Sequence, residues 1–481
     1  MANRVDVWGG PCAVPCNPLF LNGFLLQRST HSHVNRRKNC PYLSICYDSK
    51  PSIRPPEDSI AAIRALAALL VGVALLLMGS GLLGTLLAVR GGLEGFSDQT
   101  LGLIMSGYFV GFFLGTYLAP GLIQRIGHIR AFAFYAALCA AVVLLHPMFV
   151  DPWVWGLLRI LTGIALVGLY TVIESWLNVQ APPEKRSQVF AVYMAVNLLA
   201  LAAGQWLLGL YDPASFALFS GVAILICLAA LPVVASRMIQ PTLPSVPRLA
   251  LAALWRAAPA AATGALLAGL AMGAFWGMGA VYAANLGLDL QGIAALMSAT
   301  ILGGALLQWP IGRLSDGGDR RTTLALICAI AALIGVAMVF AAPYSQHLLF
   351  ALFFLFGGVA FAIYPICVAH LLDHLPTEDT LSGCSSLLLL NGIGSAIGPA
   401  VAGVAMARFG ASALPASFAV ILGALALIAV GRRLLRRRDN DHPASFHPML
   451  RTTPSALELL PETGPAPEGP DRSDPHHKDT H

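Results

Sequence analysis

From Ala62 onward the chain is a succession of apolar stretches, each long enough to cross a bilayer. A helix needs about 20 mainly apolar residues to span the hydrocarbon. Stretches of that length fall at 62–89, 100–124, 129–149, 153–179, 188–210, 214–236, 258–285, 293–314, 321–341, 346–372, 380–407 and 413–432. The glycines inside them fit close helix packing in lipid rather than breaking the helices. Composition excludes a water-facing surface: 57% of the 481 residues are hydrophobic and 11% charged, with a mean hydropathy of +0.72. A soluble domain carries about a quarter charged residues. The expectation is an all-α polytopic membrane protein whose main partner is the lipid bilayer.

The flanks differ from the spans. Residues 1–58 are rich in Pro, Asn, Arg and His and lack the order of a signal peptide. They read as a disordered tail, or as sequence upstream of the true start, although no methionine lies between Met1 and Met78. Residues 436–481 are rich in Pro, Asp and His and read as a second disordered tail. Between the sixth and seventh spans, 237–257 holds "QPTLPSVPR", a proline-rich linker. The chain therefore divides into helical halves at 59–236 and 258–435. Cys139, Cys227, Cys328, Cys367 and Cys384 lie singly in apolar runs, and the spacing of Cys12, Cys16, Cys40 and Cys46 does not suit zinc. No metal, cofactor or nucleic-acid partner is expected, and the chain is expected to be a monomer.

Orientation follows the lysines and arginines. Loops after even-numbered spans carry Arg125, Arg130, Lys185, Arg186, Arg237, Arg248, Arg256, Arg313, Arg320 and Arg321, whereas loops after odd-numbered spans carry Arg90 and Arg408. Both termini are thus expected in the cytoplasm, and the chain in the cytoplasmic (inner) membrane. The halves also match each other. Asn197, Gly204 and Gly209 precede Asn391, Gly398 and Gly403 by 194 residues, and Leu161, Gly163 and Tyr170 precede Leu355, Gly357 and Tyr364 by the same interval. One offset shared by two pairs of spans indicates a duplicated six-helix unit, and parallel repeats of that size characterise transporters.

The loop after the eighth span reads "GRLSDGGDRRT" and holds Gly312, Arg313, Asp316, Arg320 and Arg321. The loop after the second span, "PGLIQRIGHIR", keeps Leu122, Arg125, Gly127 and Arg130 but has Pro120 and Gln124 where the other has Gly312 and Asp316. Together with "RILTG" at 159–163, these loops resemble the signatures of the major facilitator superfamily, and "ESWLN" is similar to a poorly assigned bacterial subgroup of its permeases. The resemblance covers about residues 60–435. It implies twelve helices in two pseudo-symmetric six-helix bundles around a midplane site, with the two arginine-rich loops as gates. In physical terms, a carboxylate and several arginines can latch onto neighbouring helix ends; the competing reading is that the arginines only set topology.

The stretch "LLRILTGIALVGLYTVIESWLN" at 157–178 carries two ionisable groups inside a span. Arg159 and Glu174 lie about 22 Å apart along a helix and about 60° apart around it. They share a face but cannot pair with each other. Gly163, Leu166 and Tyr170 lie on the same stripe, with Thr162 beside it. Charges inside a membrane face the protein interior or a wet cavity, so this stripe is expected to line a central pathway. Snorkelling is the alternative, because Trp153 and Trp155 mark an interface near Arg159. Tyr193, Asn197 and Gln205 on the fifth span, and Asn391 as the repeat partner of Asn197, are further pathway candidates; buried asparagines also serve simply to bond helices. Tyr282 and Trp276 could stack on a solute or pack. His370, Asp373, His374, Glu378 and Asp379 read as a solvated acidic turn rather than a metal site.

No GxxxxGK[ST], HExxH or GxSxG pattern occurs, so neither an ATPase nor a known intramembrane enzyme type is expected. The expected function is secondary-active transport of a small organic solute by alternating access. Protons are the expected coupling ion, Glu174 the proton carrier and Arg159 a charge sensor or anion contact. An uncoupled facilitator and a receptor or scaffold on the same fold are the alternatives.

Overall fold

A computed structural model describes residues 56–182, 185–235, 251–316, 319–376 and 379–435. The four N-terminal cysteines, Arg237, Arg248, Glu378, the run from Arg436 to Arg438 and nearly all of both expected tails lie outside the described residues. The described chain forms thirteen α-helices and no strand. They are α1 (Pro56–Leu93), α2 (Asp98–Ile126), α3 (His128–Met148), α4 (Pro152–Gln180), α5 (Arg186–Trp206), α6 (Ala217–Ala235), α7 (Leu251–Ala257), α8 (Pro259–Asn285), α9 (Leu290–Asp316), α10 (Arg320–Ala341), α11 (Gln346–Leu372), α12 (Thr380–Phe409) and α13 (Ala413–Leu435). Twelve of them, all but α7, are long and apolar enough to cross a membrane.

Helix ends explain where the expected spans fell short. Asp151 accepts from the backbone N–H groups of Trp153 and Val154, with Pro152 at the first helical position of α4. Ser97, Asp319 and Ser345 cap α2, α10 and α11 in the same way. These side chains satisfy N–H groups that have no partner inside the helix. Two expected boundaries need correction. Residues 56–58 belong to α1 rather than to a tail. The last residues of the expected linker form α7, which Ala258 separates from α8, with Pro259 at the first position of α8.

The duplication is visible in local geometry. After α1, Gly95 has φ 76°, Phe96 N–H donates to the Gly91 carbonyl, and Ser97 caps α2. After α8, Gly287 has φ 77°, Leu288 N–H donates to the Ala283 carbonyl, and Asp289 accepts from Gly292 N–H. The two turns are the same Gly-terminated motif, 192 residues apart. Helix crossings repeat as well. A Cβ on Gly111 would overlap the Ile160 carbonyl oxygen, and one on Gly303 the Phe354 carbonyl oxygen. Gly163 and Gly357 press in return on the carbonyls of Tyr108 and Thr300. So α2 crosses α4 as α9 crosses α11. Likewise Gly204 sits on Met78 of α1 as Gly398 sits on Leu270 of α8.

The halves meet at the end of the molecule that bears Asp98. There α2 packs on α12 and α5 on α9. Gly102 and Gly403 bring their backbones into contact. Asn285 Nδ2 donates to both carboxylate oxygens of Asp98 at 3.0–3.1 Å. The Ser106 hydroxyl accepts from Ala400 N–H at 3.1 Å, and Ser298 donates to the Ala202 carbonyl at 3.0 Å.

Because carbonyl oxygens, not flexible side chains, occupy the space at the crossings, Gly111→Val and Gly303→Val are each expected to cost about 1–3 kcal/mol or more of stability. Gly221→Val, where nothing lies within 4 Å, is expected to cost less than about 0.5 kcal/mol. Unfolding of the purified variants in detergent measures the difference.

Candidate functional site

Between the halves lies a cavity of about 810 Å³, counting its opening to solvent. Its wall comes mainly from α1, α2, α4 and α5: Leu77, Ser80, Gly81, Leu83, Gly84, Thr85, Met105, Tyr108, Phe109, Arg159, Leu166, Tyr170, Asn197, Leu201 and Gln205. The second half adds Trp276, Gly277 and Met297. The make-up is that of small-molecule sites: apolar surface with a few polar groups.

Arg159 is the charged residue of this wall and is 7% exposed. It reaches inward from the second turn of α4, and its guanidinium carbon lies 4.8 Å from the centre of the Tyr108 ring. A cation over an aromatic face keeps part of the stabilisation it loses on leaving water. Tyr108 in turn meets Phe109 and Phe112, and Phe112 meets Tyr170. Gln205 is held at the cavity edge by hydrogen bonds with the Thr85 hydroxyl and to the Gly81 carbonyl.

Glu174 is fully buried near the other end of α4. The Tyr193 hydroxyl donates to its Oε1 at 3.1 Å. The Asn197 side chain stands beside that hydroxyl on the next turn of α5 and itself lines the cavity. Glu174 therefore sits behind the cavity wall, joined to it by two polar side chains, and does not form part of the wall.

The other expected pathway residues divide. Tyr170, Asn197 and Gln205 line the cavity. Gly163 instead faces α2, where the crossing leaves no room for a side chain. Thr162 is buried and bonds the Leu158 carbonyl of its own helix at 2.8 Å. Asn391 ties α12 to α8 through the Ala265 carbonyl at 3.0 Å. Trp276 faces the cavity, whereas Tyr282 is buried against Phe353. Ser80, Thr85, Met105, Tyr108, Phe109 and Met297 were not anticipated. "SGYFVGFF" around Tyr108 carries a small-residue spacing that marks the face of α2 towards α4, but nothing in its composition marks a cavity.

The two loop regions are built differently. In the second, Arg320 is 2% exposed, and its Nε donates to Asp373 Oδ2 at 2.7 Å. Its Nη1 stands 3.4 Å from Asp316 Oδ1. Asp319 caps α10 and accepts from the Thr322 hydroxyl, while Arg321 reaches His374 Nε2 at 3.4 Å. Arg313 lies over the Trp309 ring at 3.8 Å, and Gly312 is buried. Asp373 is thus the buried counter-charge of Arg320, which corrects the reading of its turn as solvated. A buried guanidinium needs a partner more than a loop carboxylate needs water. In the first region Arg125 and Arg130 are exposed, and Gly127 makes the one-residue turn between α2 and α3 with φ 85°. His128 occupies the place of Arg320 and lies against the Trp176 ring, the centroids 5.9 Å apart and the planes tilted by 37°. Among the described residues no group of three or more His, Cys, Asp or Glu side chains is arranged to hold a metal.

The fold agrees with what comparison finds. The curated relatives include an uncharacterized MFS-type transporter of Yersinia enterocolitica, 26% identical over 383 residues, which covers 79% of this chain and 97% of that protein. The uncharacterized MFS-type transporter YcaD of Shigella flexneri is 26% identical over 352 residues, 72% of this chain and 90% of that protein. Among solved structures, a mutant of the nucleoside transporter NupG superposes with a TM-score of 0.66 at 15% identity, covering 78% of this chain and all of that one. A bacterial homologue of the human lysosomal transporter Spinster, inward-facing and occupied, gives 0.64 at 14% identity, covering 80% and 99%. The family profile matches twice in succession, at 69–260 and at 261–461, and the chain belongs to the Major Facilitator Superfamily.

Proposed function

We propose that the chain is a secondary-active transporter that moves a small organic solute by alternating access and couples this movement to protons. The observation that carries the reading is the arrangement of its two buried ionisable groups. Arg159 faces a cavity between the halves, and Glu174 is sealed behind it with Tyr193 and Asn197 in between. Ionisable groups within a membrane mark solute and proton paths. A carboxyl can gain and lose a proton, and Tyr193 and Asn197 offer a hydrogen-bonded route from Glu174 to the cavity.

The halves 59–236 and 258–435 are the rocking units of this mechanism. With the arginine-rich loops in the cytoplasm, the contacts among Asp98, Asn285, Ser106 and Ala400 close the outer side, and the solute enters or leaves from within. The Arg320–Asp373 pair holds the inner ends of α10 and α11 together and stiffens the second half, leaving Asp316 and Arg313 to engage other helix ends as the halves rock. In the first loop Gln124 stands where the second has Asp316, so that carboxylate is missing there. An uncoupled facilitator would show solute flux without proton movement. A receptor would show neither.

The test is a solute screen on the reconstituted protein with a pH-sensitive dye inside the vesicles. For any solute that moves, Glu174→Gln is expected to lower pH-gradient-driven accumulation at least tenfold while the protein inserts normally, because the amide accepts the Tyr193 hydrogen bond but carries no exchangeable charge. Full proton-driven uptake by this variant excludes the role of Glu174.

For the loop, Asp373→Asn leaves Arg320 without its near counter-charge and is expected to cost about 3–5 kcal/mol. Asp316→Asn, at a half-exposed partner 3.4 Å away, is expected to cost less than about 1 kcal/mol. Unfolding in detergent distinguishes the two, and equal losses would refute the assigned pairing.

A further inference from the structure

The repeat gives positions of the cavity wall counterparts in the other half. For α1 and α8 the interval is 192 residues, as the turns at Gly95 and Gly287 show. The helix crossings keep the same register. A Cβ on Gly81 would press on the Leu201 carbonyl oxygen, and one on Gly273 on the Ser395 carbonyl oxygen, 192 and 194 residues later. At the 192-residue interval Gly84 corresponds to Trp276, and both line the cavity. The smallest and the largest side chain thus occupy equivalent places around one space. The halves are unequal on α4 and α11 as well, where Arg159 corresponds at 194 residues to the fully buried Phe353.

Three glycines line the cavity, and packing accounts for two of them. Gly81 lies against α5, and a Cβ on Gly277 would stand 2.6 Å from Pro399 Cβ of α12 and 3.2 Å from Met105 Cβ of α2. Gly84 differs. It sits inside a regular helix, and a Cβ there would meet nothing within 4 Å. No turn or helix crossing calls for glycine at that point, and glycine is a poor helix former beside alanine. Its missing side chain leaves room in the cavity, on the stripe of α1 that also holds Leu77, Ser80 and Gly81. Trp276 supplies the opposite. Its ring meets those of Phe275 and Phe361 at 5.3 and 6.0 Å, with the planes at 60° and 64°. Neither phenylalanine belongs to the cavity wall, so the indole is braced from outside the space it lines. Since α1 packs against α8, the open place and the braced ring belong to one space. A fixed aromatic surface attracts another ring in offset or edge-to-face arrangement, beyond what buried area alone contributes. A saturated ring of similar size gains only the area.

We propose that Gly84 and Trp276 form a subsite for a planar aromatic ring of the solute. The ring stacks on the Trp276 indole and extends into the room left at Gly84. Trp276 thereby selects for flatness, and Gly84 sets the largest ring accepted. This rests on the transport reading above and adds to it the solute class and two specificity-determining residues.

The experiment uses the full chain, in detergent for equilibrium dialysis and in proteoliposomes for flux. The probes carry a phenyl, a 2-naphthyl or a cyclohexyl group on each of three carriers: a neutral glucoside, a zwitterionic alanine and an anionic acylglycine. The outcome is then independent of the charge that the solute bears. On at least one carrier the phenyl and naphthyl probes are expected to bind at least about tenfold more tightly than the cyclohexyl probe. Trp276→Leu should reduce that preference to less than about twofold, and Trp276→Phe should retain at least about threefold. Gly84→Leu should weaken the naphthyl probe at least about tenfold and the phenyl probe less than about threefold. Gly221→Leu adds the same side chain outside the cavity wall, where nothing lies within 4 Å, and should change neither by more than about twofold. Equal binding of phenyl and cyclohexyl probes, an unchanged preference in Trp276→Leu, or equal losses of both ring probes in Gly84→Leu would each overturn the proposal. So would the absence of binding of every ring probe to protein of normal size-exclusion profile. Ring-selective binding without flux of any solute would leave the subsite standing and remove the transport reading. Flux of other solutes without ring binding would do the reverse.

Discussion

A peptide group in hydrocarbon must find its hydrogen-bond partner within its own segment, because lipid offers none. That rule forces every crossing segment of this chain into helix and strips the helix surfaces of polar backbone groups. Helices in lipid cannot gather by hiding apolar surface from water, so they associate through close packing. The crossings at Gly111 and Gly163, and again at Gly303 and Gly357, are where that packing is closest. The cavity exists because rigid helix pairs of this kind stand as units on either side of it.

Duplication supplied the frame and divergence supplied the chemistry. The turns at Gly95 and Gly287 and the four crossings have kept their geometry across an interval of 192–194 residues. The side chains pointing inward have not kept their character. Asn197 lines the cavity, but Asn391 bonds a neighbouring helix. His128 on Trp176 answers to Arg320 on Asp373. Backbone contact constrains both copies equally, since a Cβ at those glycines is excluded in either half. The inner surface carries no such constraint and was free to become charged in one copy and apolar in the other.

Much of the architecture was legible because its signals are long and repetitive. Spans of 19 to 30 residues announce themselves by apolar content alone, and the shared offset disclosed the repeat. Cap residues set the ends more finely than hydropathy can, which is why α4 begins at Pro152 behind Asp151. The site was legible only in part. Arg159 and Glu174 stand out because ionised groups are rare in such segments, and helical geometry put them on one stripe. That stripe runs the length of α4 but meets different neighbours along it, so Gly163 turned out to face α2 and Glu174 to sit behind Tyr193. Which neighbour lies opposite a given residue is decided by helices distant in sequence. The same holds for Asp373, whose need for Arg320, 53 residues earlier, has no local signature.

Part of the seam at the Asp98 end is made from contacts that water can replace. Asn285 with Asp98 is exposed, and Ala400 N–H, next to the helix-interior Pro399, leans on a serine hydroxyl. Glycine backbones complete the join by close packing. Contacts that water can take over are what a carrier of the proposed kind would need, because neither posture would then be a trap and solute binding could tip the balance.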